Sequence, residues 1–184
     1  TRRIYITVVP LTGGIGQMAA DFQVNELARK FAEKIGGTFV PLHAPALVDN
    51  EKIVSTLFSD KNVGKVAELW KKVNIAIVGI GGPLSDSSYI PAFYYSDTDI
   101  ALLKKKEEVG DVLSHFLCRD GKLCSSSLSK RVVGISLEKL KRIERVVAVA
   151  GSLRKKEAIL AILKRKYIDV LVTDENVATE ILKS

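Results

Sequence analysis

Residues 145–163 read RVVAVAGSLRKKEAILAIL, and this stretch decides the fold. Its apolar run Val146 to Ala150 predicts a buried strand. A Gly-Ser pair follows, and the apolar residues after it recur at the three- and four-residue spacing of one helix face. A strand that passes through a glycine turn into a helix is the repeating unit of α/β proteins, so we expect this class here.

Apolar runs rich in Val and Ile recur along the chain and alternate with helical patterns. This alternation predicts an α/β protein, a three-layer sandwich with a mainly parallel sheet and helices on both sheet faces. Two segments interrupt it: the polar and aromatic residues 81–97, and residues 111–126, which predict an antiparallel hairpin around Asp120-Gly121. The predicted strands are Ile4–Val9, Thr38–Leu42, Ile75–Gly79, Val146–Ala150 and Val170–Val172.

The composition is that of one folded domain. Of 184 residues, 47% are hydrophobic and 27% charged, which excludes a disordered, collagen-like or disulfide-scaffold protein. Neither a linker nor an internal repeat is visible, so we expect one domain over residues 1–184. The formal net charge is +7, with the excess in the second half. Such a field attracts nucleic acid, a phosphorylated metabolite or an acidic membrane, and charge alone does not choose among them.

The two cysteines, Cys118 and Cys124, lie close together in sequence. A two-residue hairpin turn at Asp120-Gly121 would place them on opposite faces of the hairpin, so the register predicts two free thiols. Their spacing is not that of a zinc pair, and we expect no metal site. The chain has no long apolar run and no signal-peptide pattern, which predicts a cytoplasmic location without membrane attachment.

Ligands of parallel α/β sheets bind outside the carboxyl ends of the strands, where loops converge and helix N-termini offer free N–H groups. Three loops of this chain hold that position. The first covers residues 9–16 and includes Gly13 and Gly14. Its glycines would let the main chain approach a ligand and direct amides at it, although a tight strand-to-helix turn would use the same residues.

The second and third loops include the ends of two other predicted strands and cover residues 78–83 and 148–157. The segment 84–97 after the second loop could fold over a ligand as a cover. The small residues that we expect at a ligand in these loops are Gly81, Gly82, Gly151 and Ser152.

Basic residues open the helix of the third loop, where Arg154 and Lys155 are followed by Lys156. The dipole of a helix disfavours cations at its N-terminus, so basic residues there are costly unless an anion joins them. We therefore expect Arg154 and Lys155 to bind an anion. The alternative is a solvated basic first turn.

Few other residues suggest chemistry. His43 lies just past a predicted strand, where a pocket residue would stand, although a lone histidine is more often structural. Neither G-x-x-x-x-G-K-[ST] nor a complete G-x-G-x-x-G fingerprint supports a nucleotide cofactor, and Ser125–Ser127 have no partnered base. We expect no catalytic residue, no cofactor and no metal.

Several motifs occur together in a fixed order: VVPLTGGIG, ELARKFAEKIGG, LHAPALV, IAIVGIGGP, GDVLSHFLCRDGKL, VAVAGS-x-x-K-x-EAI and VLVTDE-x-x-A. Over essentially the whole chain this set resembles the effector-binding domain of the SorC/DeoR-type sugar-responsive bacterial transcription regulators. The resemblance implies a fold similar to sugar-phosphate isomerases and CoA transferases, used to sense a phosphorylated sugar. It also implies a homo-oligomer, usually a dimer or tetramer.

The resemblance implies roles for individual residues as well. Thr12 and Gly13 would line the sugar pocket, and Gln23 would contact sugar hydroxyls. The glycine pair of the second loop would form the opposite wall, and Lys155 would pair with a phosphate. Arg154 is not part of the pattern and is added from the charge argument alone.

Such regulators begin with a helix-turn-helix domain that binds operator DNA, and their effector domain usually opens one βα unit earlier. Neither stretch precedes Thr1 in this sequence. We therefore expect an effector domain whose operator contacts lie outside these residues and whose ligand site lacks part of its phosphate cradle.

The sequence thus predicts a non-catalytic sensor that binds a phosphorylated sugar and controls operator binding. The alternative is a sugar-phosphate isomerase or lactonase-like enzyme on the same fold, but the loops offer only Glu157 and Asp86 as acids, neither with an evident partner. Direct nucleic-acid binding by the basic second half is a third hypothesis, disfavoured because acids are interspersed with the basic residues.

Overall fold

Two groups of residues form separate units in the computed structural model, which describes residues 5–15, 22–86 and 95–184. Unit 1 comprises residues 1–72 and 131–135, and unit 2 comprises residues 73–130 and 136–184. Helices and mainly parallel strands make up both, so the predicted α/β class is confirmed. The helices in these described ranges are too short or too polar to cross a lipid bilayer.

Unit 1 is built from a short parallel strand pair and helices. In chain order, its described strands and α-helices are β1 (Thr7–Val8), α1 (Val24–Ile35), β2 (Thr38–Phe39), α2 (Glu51–Ser59) and α3 (Lys61–Trp70). Thr7 lies opposite Thr38 in the strand pair. Asn50 and Asp60 are the N-caps of α2 and α3, and their side chains accept hydrogen bonds from main-chain N–H groups of the first turns.

A distant segment, residues 131–135, completes unit 1 by bonding two of its loops. The carbonyl of Val133 accepts from the N–H of Gly13 at 2.9 Å, and the N–H of Val133 donates to the carbonyl of Ala46 at 2.9 Å. The N–H of Ile135 donates to the carbonyl of Leu11 at 2.8 Å. The loop after β1 is therefore held by residues more than a hundred positions along the chain.

Trp70, at the end of α3, anchors the same loop from another side. The indole N–H donates to the carbonyl of Pro10 at 2.7 Å, and the ring is 6% exposed. Its edge-to-face partner is Phe58, with ring centroids 5.7 Å apart. A buried indole with its N–H satisfied fixes the start of the loop that follows β1.

Unit 2 carries a parallel sheet, an antiparallel hairpin and helices. In chain order, its described strands and α-helices are β3 (Ile75–Gly79), α4 (Asp97–Lys105), β4 (Glu108–Val112), β5 (His115–Cys118), α5 (Ser126–Ser129), α6 (Leu137–Leu140), β6 (Arg145–Val149), α7 (Lys156–Lys164), β7 (Val170–Val172) and α8 (Glu175–Leu182). Strand β6 pairs in parallel with β3 on one side and with β7 on the other. The antiparallel hairpin consists of β4 and β5.

The two faces of the β3-β6-β7 sheet differ in exposure. Ala76 and Val78 on β3 are buried, whereas Ile75 and Ile77, which alternate with them, are 63% and 55% exposed. Successive strand residues point to opposite faces, so one face packs into unit 2 and the other stays accessible. The sequence prediction of buried strands holds for one face, because an unbroken apolar run cannot show which face is covered.

The sequence predicts a hairpin turn at Asp120-Gly121, and the chain does turn back there: the N–H of Gly121 donates to the carbonyl of Cys118 at 2.8 Å, and Leu117 lies opposite Leu123. The β4-β5 hairpin, however, turns at another place. Strands β4 and β5 meet across Leu113 and Ser114, which have φ of 53° and 66°. Residues other than glycine rarely adopt positive φ, so composition does not mark this turn. Residues 119–121 form a second return of the chain, which is one residue longer than the predicted two-residue turn.

The prediction of two free thiols is wrong, since Cys118 and Cys124 form a disulfide with their Cα atoms 5.1 Å apart. Leu117 lies opposite Leu123 in an isolated bridge, and the N–H of Cys118 donates to the carbonyl of Lys122 at 2.9 Å. This register differs by one residue from the one that a two-residue turn would give. A slip of one residue moves a side chain to the other face, so the two cysteines share a face here.

Candidate functional site

The carboxyl ends of β3, β6 and β7 lie at one edge of the parallel sheet in unit 2. Gly79 pairs in register with Val149, which pairs with Val172, so the three strands end side by side. The second and third predicted loops leave from this edge. Ligands of parallel α/β sheets bind at such an edge, and the candidate site in unit 2 is built there.

Gly81 of the second loop lies directly against Asp111 of β4. Its N–H donates to the carbonyl of Asp111 at 2.8 Å. The carboxyl of Asp111 occupies the place where a Cβ at position 81 would lie, so only glycine allows this approach. Asp111 is 9% exposed, and the contact brings a buried carboxyl to the loop.

Burial raises the pKa of Asp111 from 3.8 to about 6. Two groups oppose this effect: the N–H of Ser114 donates to Oδ2 of Asp111 at 3.0 Å, and the positive charge of Lys155 favours the ionised carboxylate. A carboxyl that titrates near neutral pH accepts hydrogen bonds when ionised and can donate one when protonated. Asp111 is therefore suited to polar recognition at this edge.

The third loop is fixed by Asp174. The N–H of Ser152 donates to Oδ2 of Asp174 at 2.8 Å, and Oδ1 accepts from the N–H of Val177 at 3.0 Å in the first turn of α8. These main-chain bonds lower the pKa of Asp174, that from Val177 most. Ser152 has φ of 84°, which is strained for a residue with a side chain. One carboxylate thus holds the turn after β6 to the helix after β7.

The three basic residues of the third loop have different surroundings. Residues 153–155 form a single 3-10 turn before α7, and no side chain caps the N-terminus of α7. Lys155 is half-buried beside Gly82: its Cγ lies 3.5 Å from where a Cβ at position 82 would be. Lys156 pairs with Glu180 at 3.5 Å, and Arg154 is exposed. Lys155 is therefore the cation that faces the second loop.

Glycine amides of the first loop, in unit 1, do not point to a ligand as the sequence predicted. The N–H of Gly13 donates to the carbonyl of Val133, and that of Gly14 donates to the carbonyl of Ala44, each at 2.9 Å. The carbonyl of Gly14 accepts from the N–H of Ala46 at 2.8 Å. These bonds fit the alternative, a tight loop whose glycines permit close packing.

Two polar side chains at the same loop, those of Thr12 and Gln23, have different surroundings. The hydroxyl of Thr12 is buried and has no hydrogen-bond partner among the described residues. Gln23, at the N-cap of α1, donates from Nε2 to the carbonyl of Ile15 at 2.6 Å and so lies at the loop. A buried hydroxyl without a partner costs free energy, which a bound polar ligand would recover.

His43 is exposed in the loop after β2. The position of this loop is set by Asn25 of α1: its Nδ2 donates to the carbonyl of Leu42 and its Oδ1 accepts from the N–H of Leu42, each at 2.9 Å. Asn25 thus satisfies the main chain of a fully buried residue. His43 itself makes no hydrogen bond or ion pair in the described structure.

The sequence-predicted residues divide between the two units. Thr12, Gly13, Gly14, Gln23 and His43 belong to unit 1, whereas Gly81, Gly82, Gly151, Ser152, Arg154 and Lys155 belong to unit 2. Within unit 2, the structure brings the second loop and Lys155 together. Part of the predicted cover 84–97 lies outside the described residues, at positions 87–94.

Sequence reasoning missed Asp111 and Asp174. A single acid inside the run VGDVL is the signal that marks Asp111, because an acid within an apolar strand is carried into the interior. Across the described part of the chain, His, Cys, Asp and Glu side chains form no group of three or more that could hold a metal ion.

Comparison with known proteins supplies relatives of the whole chain. The family model for a sugar-binding domain matches residues 3–183. The deoxyribonucleoside regulator of Bacillus subtilis (strain 168) is 32% identical over 173 residues, which are 94% of this chain and 55% of that protein. The chain spans about half the length of the curated relatives it matches.

Solved structures share the fold. A transcriptional regulator from Streptococcus pneumoniae TIGR4 superposes with a TM-score of 0.90 at 28% identity, over 96% of this chain and 68% of that one. The full-length sorbitol operon regulator SorC of Klebsiella pneumoniae gives a TM-score of 0.88 at 27% identity, over 98% of this chain and 60% of that one. Both similarities extend over nearly all of the chain.

Proposed function

The chain belongs to the sugar-binding domain family found in transcriptional regulators, and from this membership we propose that it senses a phosphorylated sugar. The observation that carries the proposal is the meeting of Lys155, Asp111 and the Gly81-Gly82 loop at the carboxyl edge of the β3-β6-β7 sheet. A cation and a hydrogen-bonding carboxyl at one edge suit a ligand that has both a phosphate and hydroxyls.

Lys155 would bind the phosphate. Lys155 is the residue just before α7, whose N-terminal N–H groups have no side-chain cap, and both features attract an anion. A charge-assisted hydrogen bond of this kind contributes roughly 1.5 to 3 kcal/mol. Asp111 would accept hydrogen bonds from sugar hydroxyls in its ionised form.

In unit 1, we assign sugar contacts to Thr12 and Gln23. The buried hydroxyl of Thr12 offers a donor and an acceptor to a ligand. Gln23 donates to the carbonyl of Ile15 and so lies beside the loop that carries Thr12. His43, Gly151, Ser152 and Arg154 stay predictions as ligand contacts.

The remaining parts of the proposal concern the intact regulator. Residues 1–184 would form its effector domain, within the cytoplasm, and operator DNA would bind through a helix-turn-helix domain outside this chain. Sugar binding would shift a homo-oligomer, a dimer or tetramer, between states of different operator affinity, which requires that the sugar bind the two states unequally. The names of the relatives, which are transcriptional regulators, support this role.

Calorimetric titration of the chain with a panel of sugars and their phosphates tests the proposal. We expect one phosphorylated sugar to bind and its unphosphorylated form to bind much more weakly. Lys155→Ala should weaken binding at least about tenfold. Lys164→Ala removes an equal charge from the last turn of the same helix and is the matched control. Equal affinity of wild type and Lys155→Ala would refute the phosphate assignment.

Catalysis is the second candidate, and Asp111 is the observation that favours it. A carboxyl with a pKa near 6 beside a lysine has the properties of a general base for sugar-phosphate isomerisation. Proton exchange at the carbon next to the carbonyl of the bound sugar, followed in heavy water, separates the two functions. We expect no exchange from a sensor, whereas steady exchange that is lost in Asp111→Asn would establish the enzyme.

A further inference from the structure

The disulfide between Cys118 and Cys124 closes a small loop on the surface of unit 2. Residues 119–123 lie within this ring, and the N–H of Gly121 donates to the carbonyl of Cys118 at 2.8 Å. Cys124 is 7% exposed, whereas Cys118 is more accessible. A reductant can therefore reach the bond from the Cys118 side.

The ring packs on α7. Arg119 pairs with Glu157 in the first turn of this helix, at 2.9 Å between Nη1 and Oε2. At the other end, Nε of Arg165 donates to the carbonyl of Asp120 at 3.0 Å. The loop therefore contacts α7 at both ends.

Gly121 forms the centre of this contact. It is buried with φ of 77°, and a side chain there would collide with the carbonyl of Ala161 on α7. The loop must therefore keep one particular main-chain conformation to seat against the helix. A covalent ring restricts the loop to few conformations, whereas exposed ion pairs alone contribute little.

We propose that Cys118 and Cys124 are a reversible thiol–disulfide exchange site whose oxidation state sets how firmly α7 is held. Relatives of this chain are named regulators, and the proposed function places the chain in the cytoplasm, a reducing environment where disulfides are mostly transient and redox-sensing. A bond that closes a surface loop packed on α7, the helix that follows Lys155, fits such a role.

The chemistry needs a dithiol as reductant. One thiolate of the dithiol attacks the sulfur of Cys118, the bond between the cysteines breaks, and the sulfur of Cys124 leaves and takes a proton. The second thiol of the reductant then displaces Cys118. The products are two cysteine thiols and the oxidised dithiol, and the reverse reaction restores the disulfide.

Hydrogen exchange tests the switch without any ligand. The chain is equilibrated in oxidised or reduced dithiothreitol, and the exchange of main-chain amides in residues 156–164 is followed by mass spectrometry. We expect exchange at least about tenfold faster in the reduced chain, because the loop no longer holds the helix. The Cys118→Ser, Cys124→Ser double variant should match the reduced chain in both buffers.

Two results would overturn the switch. One is a chain whose thiols are alkylated in oxidised dithiothreitol, since the bond would then not form. The other is equal exchange of residues 156–164 in both buffers. Because reduction changes no residue, this comparison stands even where the double variant fails to fold.

The effect on ligand affinity rests on the proposed function of Lys155, and inorganic phosphate is the probe. We expect phosphate to bind the oxidised chain at least about threefold more tightly than the reduced chain, since α7 carries the site. Phosphate binding that is equal in the two states would overturn redox control of the site. Absence of phosphate binding in both states, with the exchange difference intact, would refute the proposed function and leave the switch established.

Discussion

The carboxyl of Asp111 fills the space in which a side chain at Gly81 would lie, while the main-chain N–H of Gly81 bonds the carbonyl of Asp111 at 2.8 Å. Gly81→Ala must therefore push β4 and the second loop apart. We expect a loss of about 1 to 3 kcal/mol in the free energy of unfolding, measured by urea denaturation. Gly79→Ala is the control, because a Cβ there meets no atom within 4 Å. Equal stability of the two variants would contradict this contact.

Thr12 allows stability and recognition to be separated. The substitution Thr12→Val keeps the shape and removes a buried hydroxyl that has no partner among the described residues. We expect the free energy of unfolding to change by less than about 1 kcal/mol or to rise slightly. Sugar affinity, measured by calorimetry, should fall about tenfold, because the ligand loses a hydrogen bond. A variant that is strongly destabilised would show that the hydroxyl has a structural role.

The raised pKa of Asp111 predicts a pH dependence of stability. Between about pH 4 and about pH 6 the unfolded chain ionises this carboxyl while the folded chain keeps its proton, so stability falls as the pH rises. The displacement of the pKa from 3.8 to about 6 corresponds to roughly 3 kcal/mol. Asp111→Asn removes this dependence. Urea denaturation of both proteins from pH 4 to 7.5 should show that the free energy of unfolding of the wild type falls relative to that of the variant. If the two free energies change with pH in the same way, the pKa of Asp111 is not raised.

Asn25 holds the loop that carries His43. Asn25→Ala leaves both main-chain groups of the buried Leu42 without their partners, and we expect a cost of about 1 to 3 kcal/mol in thermal or urea unfolding. Asn62→Ala, on the exposed surface of α3, is the control and should change stability by less than about 0.5 kcal/mol. If both variants unfold alike, the main chain of Leu42 is satisfied by other means.

The predictable part of the fold came from repeated local patterns. The strand at residues 145–149 and helix α7 follow from apolar spacing on either side of Gly151. The hairpin did not follow, because its turn uses Leu113 and Ser114 at positive φ, which their side chains disfavour. The register of the cysteines depends instead on the return at residues 119–121. This return is one residue longer than the predicted two-residue turn, so the prediction of two free thiols was wrong.

Charged residues and glycines in the sequence pointed to part of the candidate site. The residues whose role depends on burial were missed. Lys155 and Gly81 were found from a basic helix start and a glycine loop. Asp111 was missed because only its tertiary contact with Gly81 shows that the acid inside VGDVL lies at this edge of the sheet. The amides of Gly13 and Gly14 were assigned to a ligand, but residues 131–135 and the loop after β2 use them, and pairing over such distances leaves no local pattern.

Trp70 is the single tryptophan of the chain, and it lies in unit 1 with its indole bonded to Pro10. Its emission therefore reports melting of unit 1 alone, whereas circular dichroism sums the helices of both units. If the two methods give the same transition, the units melt cooperatively. If they give separate transitions, each unit melts by itself. Fluorescence thus gives this chain a built-in reporter of independent folding.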